Sequence, residues 1–586
     1  MAMDIKTLIV SLILMYPIVL SAQTVIEGTV LNVQHKAVEA YVTVSPKGAS
    51  SILGFANADP KGHYRLEFKS DADTIVVTVS GMTIGNQVKV LTNRSQHLDF
   101  LVKEQCLQLK EVMVKAQKIR QSGDTLNYNV ASYTQQGDRV IGDVLKKMPG
   151  IVVSKDGGIS FNGKNISNFY VEDMDLLQGR YGLATNNINA KDVTTVQVLE
   201  NHQPVKVLQG KKLSDNVAIN LKLKNSAKGT LAANTMLGGG LQSGQTIGGN
   251  PLWTAELVGM YFSKGRQNMT LYKGNNTGDD VAQELEAHYS SINSVGLYPF
   301  CPTNAILPSG SGLPQKRTFD NQSHIATVNQ LEKLDKNTEL SMNLSYHNDR
   351  ILREETSEAD RFVSDDRRLQ TSEMLTSETY MNNLQAQVRY SKNVESNFLA
   401  NVLDFSSGWN SDNVNGMLTS SYTGAQFSDN GSGRVTQHFH RPELSISNTI
   451  NAIRDFGKTI LDLHFSAGYA QRLNTLDVGV DSLTQGTKAQ YVQDITSRHI
   501  ATNFYTNYDF RFGCFNLSYG VVANMNLHGI QTDLNGFAPS KDFVEADLQN
   551  DLWYNTYEFA LAQNYKYHKS GWQVELGCPL ELYRVC

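Results

Sequence analysis

From residue 226 onward the chain alternates apolar and polar residues with period two, and nowhere in that stretch does it offer the about twenty consecutive apolar residues of a spanning helix. Thr459, Leu461, Leu463, Phe465, Ala467 and Tyr469 fall on one face of an extended segment, with Asp462, His464, Ser466 and Gly468 on the other. Phe504 to Phe512, Phe515 to Met525 and Leu340 to Tyr346 repeat the pattern, and Tyr and Phe are abundant along it. Such segments, roughly ten residues long and split by turn residues, imply a transmembrane antiparallel β-barrel. Mean hydropathy is negative, but polar lumen-facing residues offset lipid-facing ones in a barrel, so that average does not exclude a membrane.

Turn lengths suggest an orientation. Short hairpins such as Asp335-Lys336-Asn337 and Gly513-Cys514 contrast with long polar stretches, the longest at about 275–320 with Pro299, Pro302, Pro308 and Pro314. In outer-membrane barrels short turns face the periplasm and long loops face outside. The segments number about thirteen, an odd count, against the about 22 of a plugged transporter. The expectation is therefore a C-terminally incomplete barrel, a truncated form missing on the order of nine strands.

Residues 1–22 read as a signal peptide, with Lys6 ahead of the apolar run Leu8 to Leu20 and Ser21-Ala22 as the cleavage site. Five scattered cysteines are not a disulfide framework. A net charge of −5 without a basic block argues against nucleic acid.

Residues 23–105 read as a β-sandwich of short strands, including Val25–Val30, Ala40–Val44 and Thr74–Val79. Residues 106–119 form a linker carrying Leu109-Lys110-Glu111-Val112-Met113-Val114-Lys115-Ala116. Residues 120–225 read as an α+β domain. It opens on Gly123-Asp124-Thr125-Leu126-Asn127-Tyr128-Asn129-Val130 and continues with a helix whose apolar face is Val140, Ile141, Val144, Leu145 and Met148. Pro149-Gly150 stops that helix, and Asp156-Gly157-Gly158 and Asn162-Gly163 mark tight turns between short strands.

Taken in this order, the motifs of residues 120–225 resemble the plug domain of TonB-dependent outer-membrane receptors of the Bacteroidota type. Residues 25–103 resemble the carboxypeptidase-regulatory-like domain, a transthyretin-like sandwich without peptidase activity. Gln34-His35-Lys36-Ala37 stands where that domain usually has Gly in its first hairpin. The linker resembles the segment where the TonB box is expected, so Leu109, Glu111, Val112, Met113 and Val114 would contact TonB by adding a strand to its sheet.

The resemblance implies an importer in the outer membrane of a Gram-negative bacterium, surrounded by outer-membrane lipid. Its partners would be TonB with its inner-membrane energising complex and an unidentified nutrient. Glu172, Asp173 and Asp175 follow a strand and are candidates for a substrate-facing plug loop. The polysaccharide-importing branch of the family carries a different sequence at Glu200 to Val207, so a lipoprotein lid partner is not implied. No catalytic constellation stands out, and no cofactor or metal is expected. His35, His63, His97 and the pair His438/His440 lack zinc-ligand spacing. The alternative is an outer-membrane surface or structural protein without energised transport.

Overall fold

The computed structural model describes residues 23–48, 51–103, 117–154, 157–242, 251–289, 295–309, 312–313, 318, 320–364, 367–424, 427–537, 549–569 and 572–586. The signal-peptide segment 1–22 and the box-like residues Leu109, Glu111, Val112, Met113 and Val114 lie outside them, as does Asp156 of the first expected turn. The chain is mainly β, in two compact units: Met1–Arg120 with Tyr128–Ile166, and Gln121–Asn127 with Ser167–Cys586.

The first unit begins with a β-sandwich. Thr24–Asn32 pairs antiparallel with His63–Phe68 and parallel with Gln96–His97 and Phe100–Val102. The second sheet runs Gly54–Asn57, Tyr41–Pro46, Thr74–Ser80, Gln87–Thr92. Alternate residues of both sheets, among them Ile26, Val30, Val42, Val44, Leu66, Ile75, Val77 and Phe100, share one core. The first hairpin manages without Gly. His35 takes the left-handed conformation at φ 59°, and Asn32 Oδ1 accepts the N–H groups of Gln34 and Lys36 at 3.0 and 2.8 Å.

In the same unit the apolar helix face is buried, with Ile141, Val144, Leu145 and Met148 at 1% exposure or less. The α-helix is only Ile141–Leu145. Lys147 and Met148 then donate three residues back, to Val144 and Leu145, and tighten the last turn ahead of Pro149-Gly150. Asp143 Oδ2 accepts the N–H groups of Arg139 and Val140 at the helix start. Ile159–Phe161 pairs with Ile151–Val153 and, across Asn162-Gly163, with the start of Lys164–Val171. Both turn residues have positive φ, 48° and 82°, as a two-residue type I′ hairpin needs.

The second unit holds the neighbouring strands Lys164–Val171 (from Ser167), Val217–Leu223 and Val193–Leu199, the last two antiparallel. It also holds a fourteen-stranded sheet, in which every listed pair is antiparallel, running from Leu231–Leu241 to Trp572–Gly577 and Leu580–Val585. Seven consecutive strands, from Thr338–Ser364 to Phe515–Phe537, are 23–29 residues long. This corrects the expectation of segments of about ten residues, the length that crosses a bilayer. Strongly polar stretches such as Arg353 to Asp360 continue the ladder against Gln370 to Ser377. Backbone pairing needs no apolar face, so the sheet extends well beyond what a membrane requires.

Burial on this sheet is inverted relative to a soluble protein. Ser341, Asn343 and Ser345 are 2–3% exposed, while Met342 and Leu344 between them are 51% and 46% exposed. On the neighbouring strand Asn321, Ser323, Thr327 and Asn329 are buried and Val328 is exposed. Leu399, Leu403, Leu444, Ile446 and Phe465 extend the outward apolar face.

Candidate functional site

Within the second unit, the segment after the strand Arg266–Asn275 turns back against residues 167–189. Asp280 caps a 3₁₀ turn at Val281–Leu285, its carboxylate accepting the Ala282 N–H at 3.0 Å. Glu284 sits at a junction. Its Oε1 accepts Lys273 Nζ at 2.7 Å, and its Oε2 accepts Asn187 Nδ2 at 3.1 Å. Lys273 has a 4% exposed side chain and also faces Glu256 at 3.9 Å. Period two places Lys273 on the same inward face as Met269 and Leu271, where a buried cation requires an anionic partner.

Farther along, His288 and Tyr289 lie on residues 169–181. The His288 N–H donates to the Gly179 carbonyl at 3.1 Å. Gly179 has φ 94°, and a Cβ there would stand 2.2 Å from the Tyr289 carbonyl oxygen, so only glycine fits this approach. The Tyr289 hydroxyl accepts the Phe169 N–H at 2.8 Å and donates to Asp175 Oδ2 at 3.0 Å. Tyr181 stacks on Phe169 and on Tyr289 with centroids 5.4 and 6.0 Å apart, and lies 4.8 Å from the His288 ring.

Asp175 is also on the wall of a polar cavity of about 470 Å³, together with Tyr170, Gln178, His202, Lys206 and Arg389. Arg389 Nη1 donates to Gln178 Oε1. Lys336, Asn337 and Asn393, from two short turns or their rims, place the cavity at the short-turn end of the sheet. Here Lys206 Nζ donates to Asn337 at 3.0 Å, Asn393 Nδ2 to the Pro204 carbonyl at 2.8 Å, and Lys211 pairs with Asp455 at 2.5 Å. The Tyr170 hydroxyl meets His202 Nε2 at 2.9 Å. Burial pushes His202 below the ordinary histidine range and Tyr170 above that of tyrosine.

Burial also pushes the Asp175 carboxyl up, against the opposing pull of the Arg389 charge and the Tyr289 hydroxyl. A carboxyl whose folded pKa exceeds its unfolded one stabilises the fold at low pH, and loses that contribution as pH rises through the folded value. Acidification from neutrality should therefore raise the denaturant midpoint for unfolding of residues 167–223. Asp175→Asn, uncharged and of equal shape, should flatten that pH dependence. Equal pH slopes for the two proteins would contradict this account.

The three acidic candidates go to different partners. Glu172 and Asp173, at φ 51° and 66°, form a tight turn. Glu172 pairs with Lys228 at 3.0 Å and accepts the Leu223 N–H at 2.6 Å. Asp173 pairs with Lys222 at 2.5 Å and accepts Asn220 Nδ2 at 2.7 Å. Asp173 and Asp175 reach the cavity wall; Glu172 is not among its lining residues. Lys273, Glu284, Gly179, Tyr181, Tyr289 and Arg389 were not singled out from the sequence. The one accessible signal was Lys273, a charge on the apolar face of a strand. His438 bonds Asn413 at 2.9 Å, and His438 and His440 are exposed on either side of buried Phe439. Among the described residues no group of three or more His, Cys, Asp or Glu could hold a metal ion.

No protein-family model and no curated protein matches the chain. Among solved structures, the unliganded ferric citrate transporter FecA is 9% identical over 78% of this chain and 84% of its own, with a TM-score of 0.20. The siderophore receptor PirA from Pseudomonas aeruginosa is 7% identical over 80% and 100%, at 0.20. The ferric-catecholate import receptor Fiu from E. coli K12 is 8% identical over 78% and 92%, at 0.19. At these values the likeness carries no functional argument.

Proposed function

We propose that this chain is a TonB-dependent outer-membrane importer of the Bacteroidota type, with residues 120–225 as its plug and the fourteen-stranded sheet as its barrel wall. The domain limits are those of the sequence reading: a sandwich at 23–105, the TonB-box linker at 106–119 and the barrel region from 226. The observation that carries the reading is the inverted burial of the sheet, with Ser341, Asn343 and Ser345 inside and Met342 and Leu344 outside. Water cannot be the medium on that outer face at such apolar density, and lipid can.

The motifs at Gly123 to Val130 and Val144 to Ile151 support the plug assignment, and the linker Leu109 to Ala116 supports a TonB contact. Nutrient would bind from the long-loop side, and TonB would bias the plug by holding the box segment more tightly in one of its states. No covalent step is involved.

Spin labels test the membrane reading. A nitroxide at Leu344, Leu403 or Ile446 should collide with oxygen and be shielded from a water-soluble nickel chelate. A label at Asn343 should show neither lipid contact nor free access. Equal chelate access at Leu344 and at a long-loop position such as Glu358 would sink the reading.

A further inference from the structure

We propose that residues 281–289 are an internal gate latched by Tyr289, and that its release joins the long-loop side of the interior to the polar cavity at the short-turn end. This rests on the importer reading only in taking the sheet to enclose a passage. The segment enters from the long-loop end, since it follows Asn275 at the top of its strand. It is fastened twice. Glu284 ties it to the wall through Lys273 and to the helix Gly182–Thr185 through the neighbouring Asn186 and Asn187, at 3.4 and 3.1 Å. Tyr289 ties it to Phe169 and to Asp175.

Asp175 has two sides. One oxygen takes the Tyr289 hydroxyl at 3.0 Å, and the residue also lines the cavity of about 470 Å³ with Arg389 and Gln178. The Tyr289 ring therefore sits between the incoming segment and the cavity, and the Gly179 approach lets its backbone close down without a side chain intervening. The contacts are separable. They are hydrogen bonds, one ion pair and ring stacking, with no apolar core between segment and plug. A movement of residues 169–189 would break both fastenings together, because Asp175, Gly179 and Asn187 all belong to that stretch. Motion of the plug and opening of the loop side are thus one event.

The test uses nitrocefin, a small hydrophilic probe, whose entry is read by its hydrolysis in cells that carry a periplasmic β-lactamase and lack TonB. Tyr289→Ala should raise entry severalfold over the natural protein at equal outer-membrane abundance. Tyr289→Phe, which removes only the hydroxyl, should raise it less, and it carries the test if the alanine variant does not accumulate. A lock completes the experiment. A Cβ at Gly182 would lie 3.5 Å from the Glu284 Cα, within the range a disulfide spans. In the Tyr289→Ala protein, oxidised Gly182→Cys/Glu284→Cys should return entry to the natural level, and reductant should restore the leak.

Unchanged entry in the variants overturns the gate. So does a leak that persists with the disulfide formed, and so does a pair that fails to cross-link under oxidant. Because TonB is absent throughout, a leak that the disulfide closes upholds the gate even if the box segment proves not to bind TonB.

Discussion

Val144→Asp should destabilise the protein by about 4 kcal/mol, enough to leave the helix region unfolded, because it places a carboxylate in a site with no cation to spare. Val144 has no exposed surface and lies beside Ile141, Leu145 and Met148, all at 1% or less. The nearest lysine along the chain on the C-terminal side of that turn, Lys147, is already paired with Asp138 at 2.6 Å. A graded control separates polarity from volume, since Ile141→Val removes one methyl and should cost only about 1 kcal/mol. Hydrogen exchange across residues 139–151, with urea midpoints, reads both. Native-like protection in Val144→Asp would mean that the helix does not pack as described.

Lys273→Met is the second large effect, at about 3–5 kcal/mol, because breaking one side of a buried ion pair leaves the other side uncompensated. The orphan here is Glu284, whose side chain is 13% exposed and whose other oxygen is held by Asn187. The double variant Lys273→Met/Glu284→Gln should recover most of the loss, since a neutral amide can keep a hydrogen bond without a buried charge. Thermal unfolding of the detergent-solubilised protein reads the cycle. Additive losses in the double variant would show that the pair is not coupled.

The parts legible in the sequence are those fixed by local pattern. The period-two alternation at Leu340 to Tyr346 gave the two faces of the strand, because successive side chains must point oppositely. The helix face through Met148 and the Asn162-Gly163 hairpin were equally local, the latter needing two residues that tolerate positive φ. The turn at Gln34 to Ala37 lacked its usual Gly, yet Asn32 supplies the missing turn chemistry from two residues upstream.

Strand lengths were not legible. Polar residues such as Glu354, Glu355 and Asp360 read as loop, although ladder hydrogen bonds continue through them. The segment at 281–289 was invisible for a different reason. Tyr289 and Asp175 are 114 residues apart, and nothing local to either announces the other. Gly179 read as an ordinary turn glycine, and its need to be glycine comes from a backbone that approaches from the distant loop. Of the acidic trio, the ion pairs with Lys222 and Lys228 depend on where the neighbouring strand ends, which no pattern within residues 172–175 states.

The central claim is energised import, and it stands on the segment Leu109 to Ala116. A photo-crosslinking amino acid at Glu111, in living cells, should form an adduct with TonB. If recognition is strand addition, backbone N–H and C=O groups carry it. Val112→Pro or Val114→Pro removes a donor and fixes φ, and should abolish the adduct, while Val112→Ile should leave it intact. Loss of the adduct in the proline variants and its retention with isoleucine is the result expected. No adduct at all, or adducts of equal yield in the proline and isoleucine proteins, would contradict strand addition and favour a surface protein without energised transport.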